Sequence, residues 1–197
     1  MALSAIYHLT REHHLIRRCM DAVEVFVAPF ESEGNDTDTV DRQRLWPVLD
    51  YLVDVILLRH EEKEETVLLP ELERLGLAWD KGPLAYVRRD HRQGRYLVSA
   101  LRQATHQRAP WNADDRRHFA ALAREWLAFN RRHLNEEERV VFPEIARVAP
   151  ALQEVMTERF LAIDHEVDEL PDAGLLARAG QRFMDEELGA RAQGVLS

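Results

Sequence analysis

The sequence contains one cysteine, eight glycines and eight prolines among 197 residues. The single cysteine, Cys19, excludes an internal disulfide framework and any site that needs several thiolates from one chain. With so few glycines and prolines, and few strand-forming runs between turn signals, helices should dominate the fold. The longest apolar segment, around 51–58, contains Asp54 and is far shorter than the roughly 20 residues that cross a bilayer. A membrane-spanning protein is therefore not expected.

Positive charge is also scarce, with 26 lysines and arginines against 35 acidic residues and a formal net charge of −9. This balance argues against a nucleic-acid partner or an anionic membrane surface. The N-terminus lacks a basic region followed by a long apolar stretch, so no secretory signal is expected and a cytoplasmic location is predicted. The nine histidines are the main metal-binding resource of the chain.

Cap and turn signals predict four long helices at about 4–27, 41–75, 83–106 and, after the N-cap candidate Asn112, up to 148. Gly76 is expected just beyond the second helix. Short connections favour an all-α, antiparallel up-down four-helix bundle over residues 1–148. Residues 149–197 form a predicted helical extension that packs on the bundle or on a second subunit. Its clearest amphipathic pattern comprises Leu152, Val155, Met156, Phe160, Ile163 and Val167.

An internal repeat relates the second predicted helix to the fourth. Residues 60–70 and 133–143 both read H-x-x-x-E-E-x-V, then two apolar residues and a proline. Agreement over this length predicts equivalent roles for the two helices and two related helical hairpins in the bundle.

Each copy of the repeat places a histidine and a glutamate about 40° apart on one helical face, as His60 with Glu64 and His133 with Glu137. Because both faces are otherwise apolar, both pairs should point into the core. A buried carboxylate costs several kcal/mol unless it is paired or metal-bound. The opposing interpretation, two glutamates in solvated acidic runs, is weakened by the matched copies. The neighbouring acids are expected at the surface: Glu61, Glu62, Glu65, Glu136 and Glu138.

The first and third helices each contribute one further inward histidine. His13 shares its face with apolar residues, whereas its neighbour His14 lies mostly outside that stripe. His91 has apolar residues at the offsets that also surround the two repeat histidines. Two alternatives stay open, namely that His14 replaces His13 and that His165 of the tail approaches the site.

Four imidazoles and two carboxylates are too many for a four-coordinate structural zinc. They suit two ions that share bridging carboxylates, and ligand type alone does not separate iron from manganese or zinc. The predicted metal ligands are His13, His60, Glu64, His91, His133 and Glu137.

The order E-H, H-x-x-x-E-E…P, D-H, H-x-x-x-E-E…P resembles the hemerythrin-like (HHE cation-binding) family over about residues 4–148. The resemblance implies a non-haem di-iron centre with an oxo or hydroxo bridge. It assigns the four histidines as terminal ligands and the two glutamates as bridging ones.

Two positions depart from the oxygen-carrying hemerythrins, which resemble H-x-x-x-H in the third helix and H-x-x-x-x-D in the fourth. This chain has Arg95 and Glu138 there, which weakens the case for reversible oxygen carriage. The ligand set is more similar to bacterial di-iron domains of iron–sulfur repair, nitric-oxide response or iron sensing, and so implies a role in oxidative or nitrosative stress.

Arginines follow two of the proposed ligands by four positions, as Arg17 and Arg95. One hypothesis is that they line one end of the site and hydrogen-bond a small anion or the two bridging glutamates. The alternative, that both extend into solvent, has equal support.

Three functions compete on the sequence. The first is a non-haem di-iron oxidoreductase that binds or reduces oxygen, peroxide or nitric oxide. The second is an iron or oxygen sensor that signals to a partner without turnover, with a homodimer through the tail as a further expectation. The third, a metal-free helical interaction module, conflicts with the buried acids. The sequence does not decide whether the protein is an enzyme.

Overall fold

The computed structural model describes residues 4–31, 42–76, 84–106, 111–148 and 152–192. Over these residues every regular element is helical, so the prediction of an all-α fold is confirmed. None of the helices described is long and apolar enough to cross a bilayer. The helices are α1 Ala5–Val27, α2 Trp46–Asp50, α3 Leu58–Lys63, α4 Leu69–Arg74, α5 Leu84–Thr105, α6 Ala113–Glu136, α7 Phe142–Val148, α8 Gln153–Asp168 and α9 Ala173–Ala192.

The helix ends follow local signals in the sequence. The Ser4 side chain caps α1 by accepting a hydrogen bond from the backbone N–H of Tyr7. Asn112 caps α6 in a reciprocal capping box with Asp115. Gly76, with φ of 82°, adopts the left-handed conformation just beyond α4. The predicted starts at residues 41 and 83, and the predicted domain boundary at 148/149, fall at or beyond the edges of the described residues.

Three π-helical turns interrupt the second and fourth predicted helices, at Tyr51–Leu57, Glu64–Leu68 and Glu137–Val141. The last two occupy equivalent positions in the sequence repeat. In the second turn the N–H of Leu69 bonds to the carbonyl of Glu64, five residues earlier. Pro70 and Pro143 follow these two turns at the same offset, and proline lacks the N–H that an α-helical hydrogen bond needs there. The two prolines are part of the sequence repeat, but the π-helical turns were not predicted from it.

The described part of the C-terminal extension forms two helices, and the predicted amphipathic pattern lies on the first of them. Helix α8 packs on α1 and α3, and α9 packs on α1 and α2. Within α8, Met156 and Phe160 are buried, but Val155 is half-exposed, contrary to its place in the predicted apolar stripe. Helix α9 adds a close contact to the core, where the Sγ of Cys19 lies 3.3 Å from the Sδ of Met184.

Candidate metal centre

Four histidines meet inside the bundle, one from each of α1, α3, α5 and α6. In the first pair, the Nε2 atoms of His13 and His60 lie 3.2 Å apart. In the second, the rings of His91 and His133 pack edge to face with centroids 5.2 Å apart. All four are buried. Each pair therefore comes from one of the two related helical hairpins.

The carboxylate of Glu137 lies between the two histidine pairs. One oxygen is 3.3 Å from Nε2 of His13, and the other is 3.2 Å from Nε2 of His133. Glu137 is the first residue of its π-helical turn, and such turns are common at functional sites. This glutamate therefore faces one histidine of each pair.

Glu64 occupies the equivalent position in the first half of the repeat. Its Oε2 is 3.1 Å from Nε2 of His91 and 3.7 Å from Nε2 of His60. It too begins a π-helical turn. Both glutamates therefore reach a histidine of each pair.

Several buried atoms of this cluster have no hydrogen-bond partner in the described structure: Oε2 of Glu64, Nε2 of His91 and both carboxylate oxygens of Glu137. Burial opposes ionisation of Glu137, but the histidines around it hold its pKa well below the usual range. Although burial disfavours a charged imidazole, the adjacent carboxylates raise the pKa of His91 to about 12. Unpartnered nitrogen and oxygen donors around fixed negative charge fit bound cations.

The outer nitrogen of His13 is held by a carboxylate and a cation. Nδ1 of His13 is 2.9 Å from Oε1 of Glu138, and Arg17 donates to the same oxygen at 2.6 Å. A carboxylate on the outer nitrogen fixes the orientation and tautomer of a metal-binding imidazole. Arg17 therefore acts through Glu138, and its described hydrogen bonds do not reach the bridging glutamates.

His91 has the equivalent arrangement in the second half of the repeat. Its Nδ1 lies 2.8 Å from Oε1 of Glu65, to which Arg95 donates at 3.2 Å. Arg95 also bonds to Glu61. The carboxylate cluster of Glu61 and Glu65 with His91 is itself a candidate cation site, but the guanidinium of Arg95 already supplies positive charge there.

A carboxylate also holds the outer nitrogen of His60, and it is paired with a buried lysine. We call each such carboxylate on the outer nitrogen of a histidine, with its cation, a carboxylate relay. Nδ1 of His60 is 3.0 Å from Oε2 of Glu12, and Lys63 donates to the other oxygen of Glu12. Lys63 is fully buried, and its ammonium lies 2.5 Å from Oδ1 of Asp164 in α8. The C-terminal extension thus contacts the support of a proposed ligand.

His133 differs from the other three histidines. Among the described residues, no carboxylate pairs with its Nδ1, and its ring stacks on Phe129. A cavity of about 640 Å³ opens beside it. The cavity is lined by Tyr86, Val87, Arg89, Asp90, Arg132, His133, Glu136, Glu137, Val140 and Val141.

The two alternative histidines both lie at the surface. His13 is fully buried, whereas His14 points to solvent. His165 is exposed on α8 and pairs with Glu169 at 3.3 Å. Neither His14 nor His165 approaches the cluster, whereas all six predicted ligands belong to it.

Sequence reasoning missed the acids that hold the histidines. Glu65 and Glu138 were expected at the surface, but both are half-buried against imidazoles of other helices. Glu61 was also expected at the surface and is buried. The repeat contained a usable signal, since a second glutamate follows the proposed ligand in both copies. Lys63 aligns with an acid, Glu136, in the other copy and gave no such signal.

A sequence model of the Hemerythrin HHE cation binding domain matches residues 4–145. The chain belongs to the hemerythrin family. The match contains all six residues of the cluster and both π-helical turns that begin at its glutamates. No curated protein and no solved structure gives a match. This hemerythrin-family protein therefore has a cation-binding domain whose histidine and glutamate side chains are grouped to hold metal.

Proposed function

We propose that the protein holds two iron ions in the cluster and uses them to bind or reduce a small oxidant, namely oxygen, peroxide or nitric oxide. The observation that carries the proposal is the set of four unpartnered buried atoms on Glu64, His91 and Glu137. When bound, iron would supply electrons and Lewis acidity to the oxidant. A cytoplasmic role in oxidative or nitrosative stress would follow.

The side chains of the chain divide this work between holding and orienting. Glu64 and Glu137 each face both histidine pairs. The carboxylates on the outer nitrogens of His13, His60 and His91 keep their Nε2 atoms directed inward. The apolar packing around the cluster lowers the local dielectric constant, so these charges interact more strongly than in water.

Metal analysis of purified protein tests the proposal, with an optical spectrum recorded on the same sample. We expect about two irons per chain and a ferric absorption spectrum. Replacement Glu64→Gln removes one bridging carboxylate and should lower the metal content, whereas Glu62→Gln changes an exposed glutamate two positions away and should not. Zinc or manganese in place of iron, or equal metal content in the two variants, would contradict the di-iron assignment.

An iron or oxygen sensor without turnover is the second candidate. It is favoured by one contact, the ion pair between Lys63 and Asp164 of α8, because α8 lies next to the support of His60. Consumption of peroxide or nitric oxide by the iron-loaded protein would favour the enzyme. Iron loading that changes hydrogen exchange in α8, with no turnover, would favour the sensor.

A homodimer through the C-terminal extension completes the proposal. Large apolar side chains are half-exposed on and next to α8 and α9, and these are Val155, Leu161, Leu170 and Leu175. Sedimentation of the full chain, compared with a Leu161→Glu variant, tests this interface. We expect a dimer for the full chain and a monomer for the variant, and an equal mass for the two proteins would contradict this interface.

A further inference from the structure

Carboxylate relays hold the outer nitrogens of His13, His60 and His91, but none is described for His133. His60 corresponds to His133, and the partners of His60, Glu12 and Lys63, correspond in sequence to Asp90 and Glu136. Asp90 is buried but lies 3.3 Å from Arg89 and 3.7 Å from Arg132, not on His133. Glu136 is exposed and replaces the buried lysine by an acid. The fourth relay is therefore absent on the side where the cavity lies.

The residues that line the cavity have counterparts around His60, and α8 covers them. The counterparts of Val87, Val140 and Val141 are Leu9, Val67 and Leu68. These three are buried in an apolar cluster that includes Met156 and Phe160 of α8 and also Val87 and Val141. Helix α8 packs on α1 and on the turn Glu64–Leu68, which carry Leu9, Val67 and Leu68. The same groove thus exists twice in the bundle, open beside His133 and filled beside His60.

Polar contacts hold α8 in the filled groove. Arg59, the counterpart of Arg132, bonds to Asp164 at 3.3 Å and to Asp168 at 2.7 Å. Arg159 donates at 3.0 Å to the carbonyl of Thr66, the oxygen that Pro70 cannot pair in an α-helix because it lacks an N–H. These contacts hold the middle and the end of α8.

We propose that the open cavity is the route by which a small ligand reaches the metal centre, and that α8 closes the equivalent route beside His60. The inference rests on the proposed function for the identity of the centre. The cavity wall is apolar at its three valines, and its two arginines both pair with Asp90, so the route suits a small neutral molecule or a weak-acid anion. His133 is also the most exposed of the four histidines, with 8% of its side chain accessible against 0–2% for the others.

The rate of azide binding to the iron-loaded protein tests the route. Val140 is 42% exposed at the cavity, and Val140→Trp should slow both association and dissociation about tenfold with an unchanged Kd and an unchanged final spectrum. A matched control, Val155→Trp, adds the same bulk at an exposed valine of α8 and should leave both rates unchanged. An unchanged rate in Val140→Trp, or a change in Kd alone, would overturn the proposal.

Opening the closed groove gives the converse test. Phe160→Ala removes a buried ring beside the Lys63 ammonium, and in a Val140→Trp background it should restore at least half of the lost azide rate. Met156→Ala serves the same purpose if the first variant fails to fold, as judged by circular dichroism. A double variant that folds but stays as slow as Val140→Trp would refute closure by α8.

A metal-free measurement separates failure of the route from failure of the di-iron proposal. Diethylpyrocarbonate modifies accessible imidazole nitrogens, and His133 is the proposed histidine ligand that lines the cavity. In the metal-free protein, Val140→Trp should slow modification of His133 several-fold, while the exposed His14 and His165 react as in the unmodified sequence. If iron does not bind but this protection appears, the route stands and the proposed function fails; if iron binds and no protection appears, the reverse holds.

Discussion

Replacement of Lys63 by methionine should destabilise the protein by about 3 kcal/mol. Lys63 is fully buried, with its ammonium between the carboxylates of Glu12 and Asp164. Removing one partner of a buried ion pair costs about 3–5 kcal/mol, because the remaining charge is left uncompensated. Methionine has a similar length, so a cavity should add little to this loss.

The lower end of that range follows from the partners that remain. Glu12 keeps its bond to His60, and Asp164 keeps its bond to Arg59. Both carboxylates are also partly solvated, with 18% and 23% of their side chains exposed. Water can therefore compensate part of the lost attraction.

Urea unfolding of the metal-free protein measures this free energy, and Arg18→Met is the matched control. Arg18 and Asp185 form a pair at 3.2 Å whose side chains are at least half-exposed. Such surface pairs contribute about 0–1 kcal/mol. If the two variants differ by less than about 1 kcal/mol in the free energy of unfolding, the reasoning about the buried cation is wrong.

The remaining predictions concern protonation and helix packing. Zinc added to the metal-free protein at about pH 7.5 should release at least one proton per chain, detected with an indicator dye, because burial opposes but neighbouring carboxylates raise the pKa of His60 to about 9 and that of His91 to about 12. A raised histidine pKa stabilises the fold fully below about pH 6.5, and this contribution is lost as the pH rises through about 9, so the Tm of the metal-free protein should fall over that interval while that of the metal-loaded protein should not; parallel profiles would contradict this. Gly180→Ala should destabilise the fold by about 1–3 kcal/mol, because the added Cβ would lie 2.7 Å from Cδ1 of Tyr51. The control Gly189→Ala adds a Cβ that meets nothing within 4 Å. Equal thermal midpoints of the two variants would refute the described packing of α9.

The inward histidines could be predicted because helical periodicity is a local property. Residues four apart share a face whatever the rest of the fold does, so His60 with Glu64 needed no tertiary information. The choice of His13 over His14 followed from the apolar stripe on α1 in the same way. The caps at Asn112 and beyond α4 were equally local.

The carboxylate relays could not be predicted, because they depend on how one helix is aligned with another. Glu12 and His60 are 48 positions apart in sequence, and no local pattern in either helix predicts that the two side chains meet. Lys63 was missed for a further reason, since a buried lysine is rare without a paired acid. Its second acid, Asp164, lies in the C-terminal extension, where only one amphipathic pattern was predicted.

The two π-helical turns at the glutamates restrict how the chain can vary in length. A π-helical turn holds one residue more than an α-helical turn, since its hydrogen bonds span five residues instead of four. Deleting one residue inside Glu64–Leu68 would therefore restore a regular α-helix and change the direction of Glu64 relative to the buried Leu69 and Leu72. The same holds for Ile145 after Glu137–Val141. Apart from Glu64 and Glu137 themselves, these turns should accept substitutions more readily than insertions or deletions, and an alignment gap there would mark a relative with a rebuilt centre.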